Sequence, residues 1–153
     1  MPTLTIVRRD LYEEPALFIR RHIPREQLRS ALAECLAKVH HYCRRAGHPI
    51  EGRPFTRFAS TGPKLWTIEV GKPICARTKG EGEIEAGVLA GGPAAVAVHV
   101  GPHERLADTH AALARWIVAN GLRAIAAPWE SYVTSDADRP ETWRTKVYWP
   151  IAE

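Results

Sequence analysis

The chain has 153 residues, enough for one compact domain with a buried core. A hydrophobic content of 45% and a charged content of 25% are those of an ordinary globular fold, and no apolar run reaches the eighteen or so residues that span a bilayer. The net charge is +4, but the basic residues are spread from Arg8 to Lys146 without forming a stripe, so neither direct DNA binding nor a membrane partner is expected.

The opening stretch, MPTLTIVRRDLYEE, lacks the apolar core of a secretion signal and reads as a first strand. A cytoplasmic location is the resulting expectation. Leu17 and Ile19 alternate as strand residues, and Pro24 stands where a helix start tolerates proline. Leu28, Leu32, Cys35, Val39 and Tyr42 then recur at spacings of three and four, which gives one apolar helical face. Gly47 follows as a left-handed stop. Cys35 and Cys43 are eight positions apart on this helix, about 12 Å, too far for a disulfide. With Cys75 they are expected as free thiols, mostly buried. The HHYC run at 40–43 has no second ligand cluster at zinc spacing, so it reads as helix surface plus core and no metal is expected.

RPFTRF (53–58) and WTIEVGKPI (66–74) read as two further strands. Next comes TKGEGEIEAGVLAGGP (78–93), whose five glycines predict an exposed, mobile connector with a short strand at most. It lacks both the Lys-Ser/Thr ending and the following helix of a phosphate cradle, and no cofactor is expected. From residue 94 the plan returns. Val96, Val98 and Val100 make a strand, and Pro102 opens a helix carrying Leu106, Leu113, Trp116 and Ile117. Gly121 stops it, and APWESYVT (127–134) and RTKVYWPI (144–151) close the chain as strands.

The return is a duplication. AGHPIEGRPFTRF (46–58) aligns with NGLRAIAAPWESY (120–132) at an offset of 74, placing Phe55 on Trp129 and Phe58 on Tyr132. WTIEVGKPI aligns with WRTKVYWPI (143–151) at an offset of 77, and Leu28 falls on Leu106 at an offset of 78. The first helix is therefore about one turn longer than the second. Three blocks in one order indicate an internal repeat. The predicted fold is α+β: duplicated βαββ modules related by a pseudo-twofold axis, an antiparallel sheet with two helices on one face, and a central ligand groove. The expected organisation is a single domain over 1–153, with a first repeat near 1–77, the connector near 78–93 and a second repeat near 94–153. One position breaks the symmetry, for Glu130 stands where the first repeat has Thr56.

HVGPHERL (99–106), the helix with Trp116 and Asn120-Gly121, APWESY (127–132) and RTKVYWPI together resemble the GyrI-like small-molecule-binding domain, also the effector module of AraC-type and MerR-type multidrug regulators. The resemblance spans nearly the whole chain and implies a duplicated βαββ fold whose groove binds amphipathic, often cationic, aromatic compounds. It implies that Glu130, in the P-x-E-x-Y position, partners the ligand's positive charge. His103 departs from the aromatic that the family carries in its G-P-Y-E turn. With no DNA-binding motif beside it, the domain is expected to act in a stand-alone form.

A hydrophobic cation needs a charge partner once buried, and aromatic faces add attraction of roughly 0.5–2 kcal/mol each. By alternation Glu130 and Tyr132 share one strand face and Trp129 takes the other. Glu130 and Tyr132 are the expected groove residues, with Trp129 in the core or at the rim, and Phe58 as a further ligand contact. On the last strand Tyr148 and Trp149 take opposite faces, and both stand as candidates. His99 is read as a strand histidine beside the groove. The leading expectation is a binding protein for cationic or amphipathic aromatic molecules, for sequestration or sensing. The alternatives are a hydrolase of electrophilic cyclopropane-bearing genotoxins, with Glu130 as acid or base and Tyr132 orienting water, or a protein-interaction module such as a gyrase modulator.

Overall fold

The structure, a computed structural model, describes residues 4–134 and 138–153. The first three residues of the expected opening strand lie outside the described residues. Two strands, β1 (Ile6–Leu11) and β2 (Glu14–Ile23), precede the first helix, α1 (Leu28–Ala46). β3 (Phe55–Thr61), β4 (Trp66–Pro73), β5 (Ile84–Leu89) and β6 (Gly92–Val100) follow. The second helix, α2 (Leu106–Ala119), leads into a two-residue β7 (Arg123–Ala124), then β8 (Trp129–Tyr132) and β9 (Arg144–Ala152). The chain divides into two compact units, residues 12–90 and residues 4–11 with 91–153.

In the unit 12–90 the strands lie in the order β3-β4-β2-β5, antiparallel throughout. α1 buries Ala31, Cys35, Val39, Tyr42 and Cys43 against Leu17, Ile19, Ile68 and Val70. His40 and His41 of the HHYC run are exposed while Tyr42 and Cys43 are buried, as the helical period requires. All three cysteines are free, and only Cys75 is exposed. In the other unit the order is β1-β6-β9-β8, again antiparallel, with β7 on the far part of β9. There α2 buries Leu106, Thr109, Leu113 and Ile117, and its core includes Ala95, Ala97, Val147 and Ile151.

The strand registers repeat along with the sequence. Phe55 faces Gly71 as Trp129 faces Tyr148, and Thr56 faces Val70 as Glu130 faces Val147. Ala16 faces Pro73 as Ala94 faces Pro150. On the helices, buried Ala31, Cys35 and Val39 correspond to buried Thr109, Leu113 and Ile117, each 78 positions later. The greater length of α1, 19 residues against 14, therefore lies at its C-terminal end. Both helices are followed by glycine in the left-handed region, Gly47 at φ 74° and Gly121 at φ 70°. These features establish the α+β class and the duplicated βαββ plan.

The glycine-rich stretch holds a short strand of six residues. It contains β5, which pairs along β2 from Glu14–Leu89 to Ile19–Ile84. Ile84 and Leu89 stand 78 positions beyond Ile6 and Leu11, and β1 pairs with β6 in the same manner. The repeated element is therefore strand-strand-helix-strand-strand with its first strands exchanged: β1 joins the later repeat and β5 the earlier one. Gly87 serves close packing, because a Cβ there would stand 2.8 Å from the Phe18 ring. Among the described residues, no helix is long and apolar enough to cross a membrane.

Candidate functional site

β8 is four residues long and pairs with β9 through Trp129–Tyr148, Glu130–Val147, Ser131–Lys146 and Tyr132–Thr145. Alternation puts Glu130 and Tyr132 on the face that carries α2, together with Val147 of the α2 core. Trp129 and Tyr148 take the opposite face, where their rings stack with centroids 5.3 Å apart and planes 19° apart. Trp149 follows Val147 and Ile151 onto the α2 side and packs, partly buried, against that core. Of the two candidates on the last strand, Trp149 shares a face with Glu130 and Tyr148 does not.

Glu130 is 6% exposed. Its Oε1 accepts a hydrogen bond from the Tyr132 hydroxyl at 3.0 Å, and its Oε2 lies 2.8 Å from Nε2 of His110, on α2. A carboxylate oxygen only accepts, so Nε2 of His110 carries the hydrogen. A buried carboxylate is costly without such donors, and hydrogen bonds to a charged acceptor are the strong ones. Two of its roughly four lone-pair sites are occupied, which leaves acceptor capacity and the charge itself.

A second buried glutamate gives the contrast. Glu69, also 6% exposed, receives Nε of Arg57 at 2.6 Å and a terminal nitrogen of Arg20 at 2.7 Å. Burial works to raise its carboxyl, but the two guanidiniums outweigh burial and hold it below the usual value. Glu130 has no lysine or arginine partner among the described residues; its hydrogen bonds there are with His110 and Tyr132.

The surrounding side chains are fixed by their own contacts. His99 places Nε2 3.0 Å from the Pro102 carbonyl and Nδ1 2.7 Å from the Thr109 hydroxyl. The carbonyl can only accept, so Nε2 donates and, in the neutral ring, Nδ1 accepts from Thr109. His99 thus ties β6 to the start of α2. His103 packs its ring 4.7 Å from Trp143 and 5.5 Å from Tyr132, filling the aromatic position of the turn. The other unit repeats this cluster: Arg25 lies over Trp66 at 5.6 Å, and Trp66 meets Phe58 edge-on at 5.9 Å. Phe58 is a core residue of the unit 12–90, 8% exposed.

His110 is the site residue that the sequence reading missed. Its counterpart 78 positions earlier is Leu32, which packs against the α1 core. The second repeat therefore differs from the first at two facing positions, Thr56 to Glu130 and Leu32 to His110. One further polar atom lies on this face: the fully buried Thr145 hydroxyl, across from Tyr132 and His99, has no hydrogen-bond partner among the described residues. Among the described residues, no cluster of His, Cys, Asp and Glu could hold a metal ion.

The profile of a family described as the GyrI-like small molecule binding domain matches residues 9–152. No curated protein matches the chain. Among solved structures, the EcmrR C-terminal domain superposes with a TM-score of 0.86 at 19% identity, over 98% of each chain. The EcmrR–DNA complex gives 0.85 at 20% identity, with 97% of this chain spanning only 57% of that one. SAV2435 bound to tetraphenylphosphonium gives 0.66 at 11% identity, over 97% of this chain and 94% of that one. A hydrolase from Listeria innocua gives 0.62 at 16% identity, over 96% and 91%. At these identities the likeness is one of fold.

Proposed function

The chain belongs to the GyrI-like small-molecule-binding domain family, and from that premise we infer that it binds lipophilic aromatic cations through the carboxylate of Glu130. One observation carries this reading: Glu130 is buried, yet no lysine or arginine among the described residues accompanies it, whereas buried Glu69 has two guanidiniums. A ligand cation would supply the missing charge, and its aromatic groups would supply the burial that draws it from water. Tetraphenylphosphonium, the ligand of the structurally similar SAV2435, has this chemistry. Its charge is shielded by phenyl rings, so pairing with Glu130 requires proximity and no hydrogen bond. Sequestration or sensing of such compounds is the corresponding role.

The Tyr132–Glu130 hydrogen bond supports a second reading. That bond fixes the orientation of the carboxylate, and the lone pairs it leaves open supply the base that would take a proton from water in hydrolysis of an electrophilic ligand. The similar Listeria structure described as a hydrolase belongs to this comparison.

Titration of the protein at pH 8 with tetraphenylphosphonium and with uncharged triphenylphosphine oxide, followed by tryptophan fluorescence, tests the binding reading. The cation is expected to bind about tenfold or more tighter, a difference of about 1.4 kcal/mol. Equal or tighter binding of the neutral compound would sink it. Turnover of an electrophilic cyclopropane in the same preparation would favour hydrolysis.

A further inference from the structure

We propose that His110 sets the charge of the binding site, so that a proton on its imidazole and a cationic ligand compete for Glu130. This rests on the reading of Glu130 as the cation's partner. Nε2 of His110 is 2.8 Å from Oε2, and the side chains are 22% and 7% exposed respectively. Neutral His110 donates Nε2–H and leaves the pair with one negative charge. Protonated His110 turns the same contact into an internal ion pair with no net charge, and the ligand's cation then meets a histidinium beside its partner. The helix residue thus does conditionally for Glu130 what Arg57 and Arg20 do permanently for Glu69.

The other groups around α2 do not replace His110 in this role. β6 presents His99, held by the Pro102 carbonyl and Thr109. The turn before α2 presents His103, packed on Tyr132 and Trp143, and the exposed Glu104 and Arg105. β9 presents Thr145 and Val147, while its Arg144 and Lys146 alternate to the other face and are exposed. Arg123 of β7 bonds the Glu153 carbonyl. Among the described residues, the Glu130 carboxylate is met by the His110 ring and by the uncharged Tyr132 hydroxyl.

The repeat supports the pairing independently. Where β3 has Thr56 in place of Glu130, α1 has Leu32 in place of His110. An imidazole and a carboxylate occur together in one repeat, and an aliphatic side chain and a hydroxyl in the other.

The experiment measures tetraphenylphosphonium affinity of the full chain between pH 8 and pH 5.5, with triphenylphosphine oxide alongside. The cation should bind about tenfold more weakly at pH 5.5 while the neutral compound stays level. In His110→Gln, which keeps an N–H donor without a titrating ring, the cation's pH dependence should flatten. Calorimetry of the wild type in two buffers of different ionisation heat needs no variant: near pH 6 cation binding should release protons, as linkage requires. Cation affinity that is level with pH, without proton release, would overturn the role of His110 and leave the cation reading intact. A pH dependence that persists in folded His110→Gln would also overturn it. Failure of the cation to bind at pH 8 would remove both readings together.

Discussion

The Nε2 atom of His110, on the second helix, stands 2.8 Å from Oε2 of Glu130, on a four-residue strand. The two positions are 20 residues apart and meet because α2 packs on the sheet face that Glu130 and Val147 share. This contact converts a buried carboxylate, otherwise a liability, into a group with a conditional partner and spare charge.

The ring pair on the opposite face should matter for stability more than for charge recognition. Trp129 is 4% exposed and stacks on Tyr148. Trp129→Ala is expected to cost about 3 kcal/mol in denaturant unfolding. At a concentration of folded protein matched to wild type, the preference for cation over neutral compound should stay. A variant that folds normally but loses that preference would show that Trp129 belongs to the recognition surface.

Thr145 offers a gain. Its hydroxyl is fully buried with no hydrogen-bond partner among the described residues, so the folded state carries a desolvation cost that the unfolded chain does not. Thr145→Val keeps the branched shape and should stabilise the protein by about 1 kcal/mol. A loss of similar size would mean that the hydroxyl has a partner in solution.

Much of this was legible in the residues, and the exceptions have physical causes. The repeat, the glycine stops and the symmetry break at Glu130 followed from spacing alone, and the strand registers reproduce the same offsets. The pairing of the short strand in the glycine-rich stretch with β2 was not legible, because glycine content alone signals mobility, whereas Gly87 makes room for Phe18. His110 was hidden because it interrupts the apolar face of α2 by one position, and its contact depends on how a helix packs on a strand. A signal was nevertheless present. Aligning the helices at 78 places His110 on Leu32, in the same repeat in which a threonine gives way to glutamate.

Glu69 predicts the acid response of the other unit. Its carboxyl is held low in the fold, so as pH falls the unfolded chain takes up this proton first. The stabilisation is therefore complete above the ordinary glutamate value near 4.3 and is lost as pH drops through the lowered folded value. Glu69→Gln should cost about 3 kcal/mol at pH 7, because Arg57 and Arg20 lose their shared partner. Denaturant melts of both proteins from pH 7 to pH 3 check this, and the gap between them should close toward the acid end. A gap that stays constant over that range would contradict the assignment.

The central claim is that the charge of Glu130 selects the ligand. Its most direct test compares tetraphenylphosphonium affinity of wild type and Glu130→Gln at pH 8, with triphenylphosphine oxide as the neutral control. The amide keeps the shape and an acceptor for Tyr132 but removes the charge. The cation should bind the variant more weakly by about 2 kcal/mol, roughly thirtyfold in Kd, while the neutral compound binds both proteins alike. Equal cation affinity in two folded proteins would contradict the account.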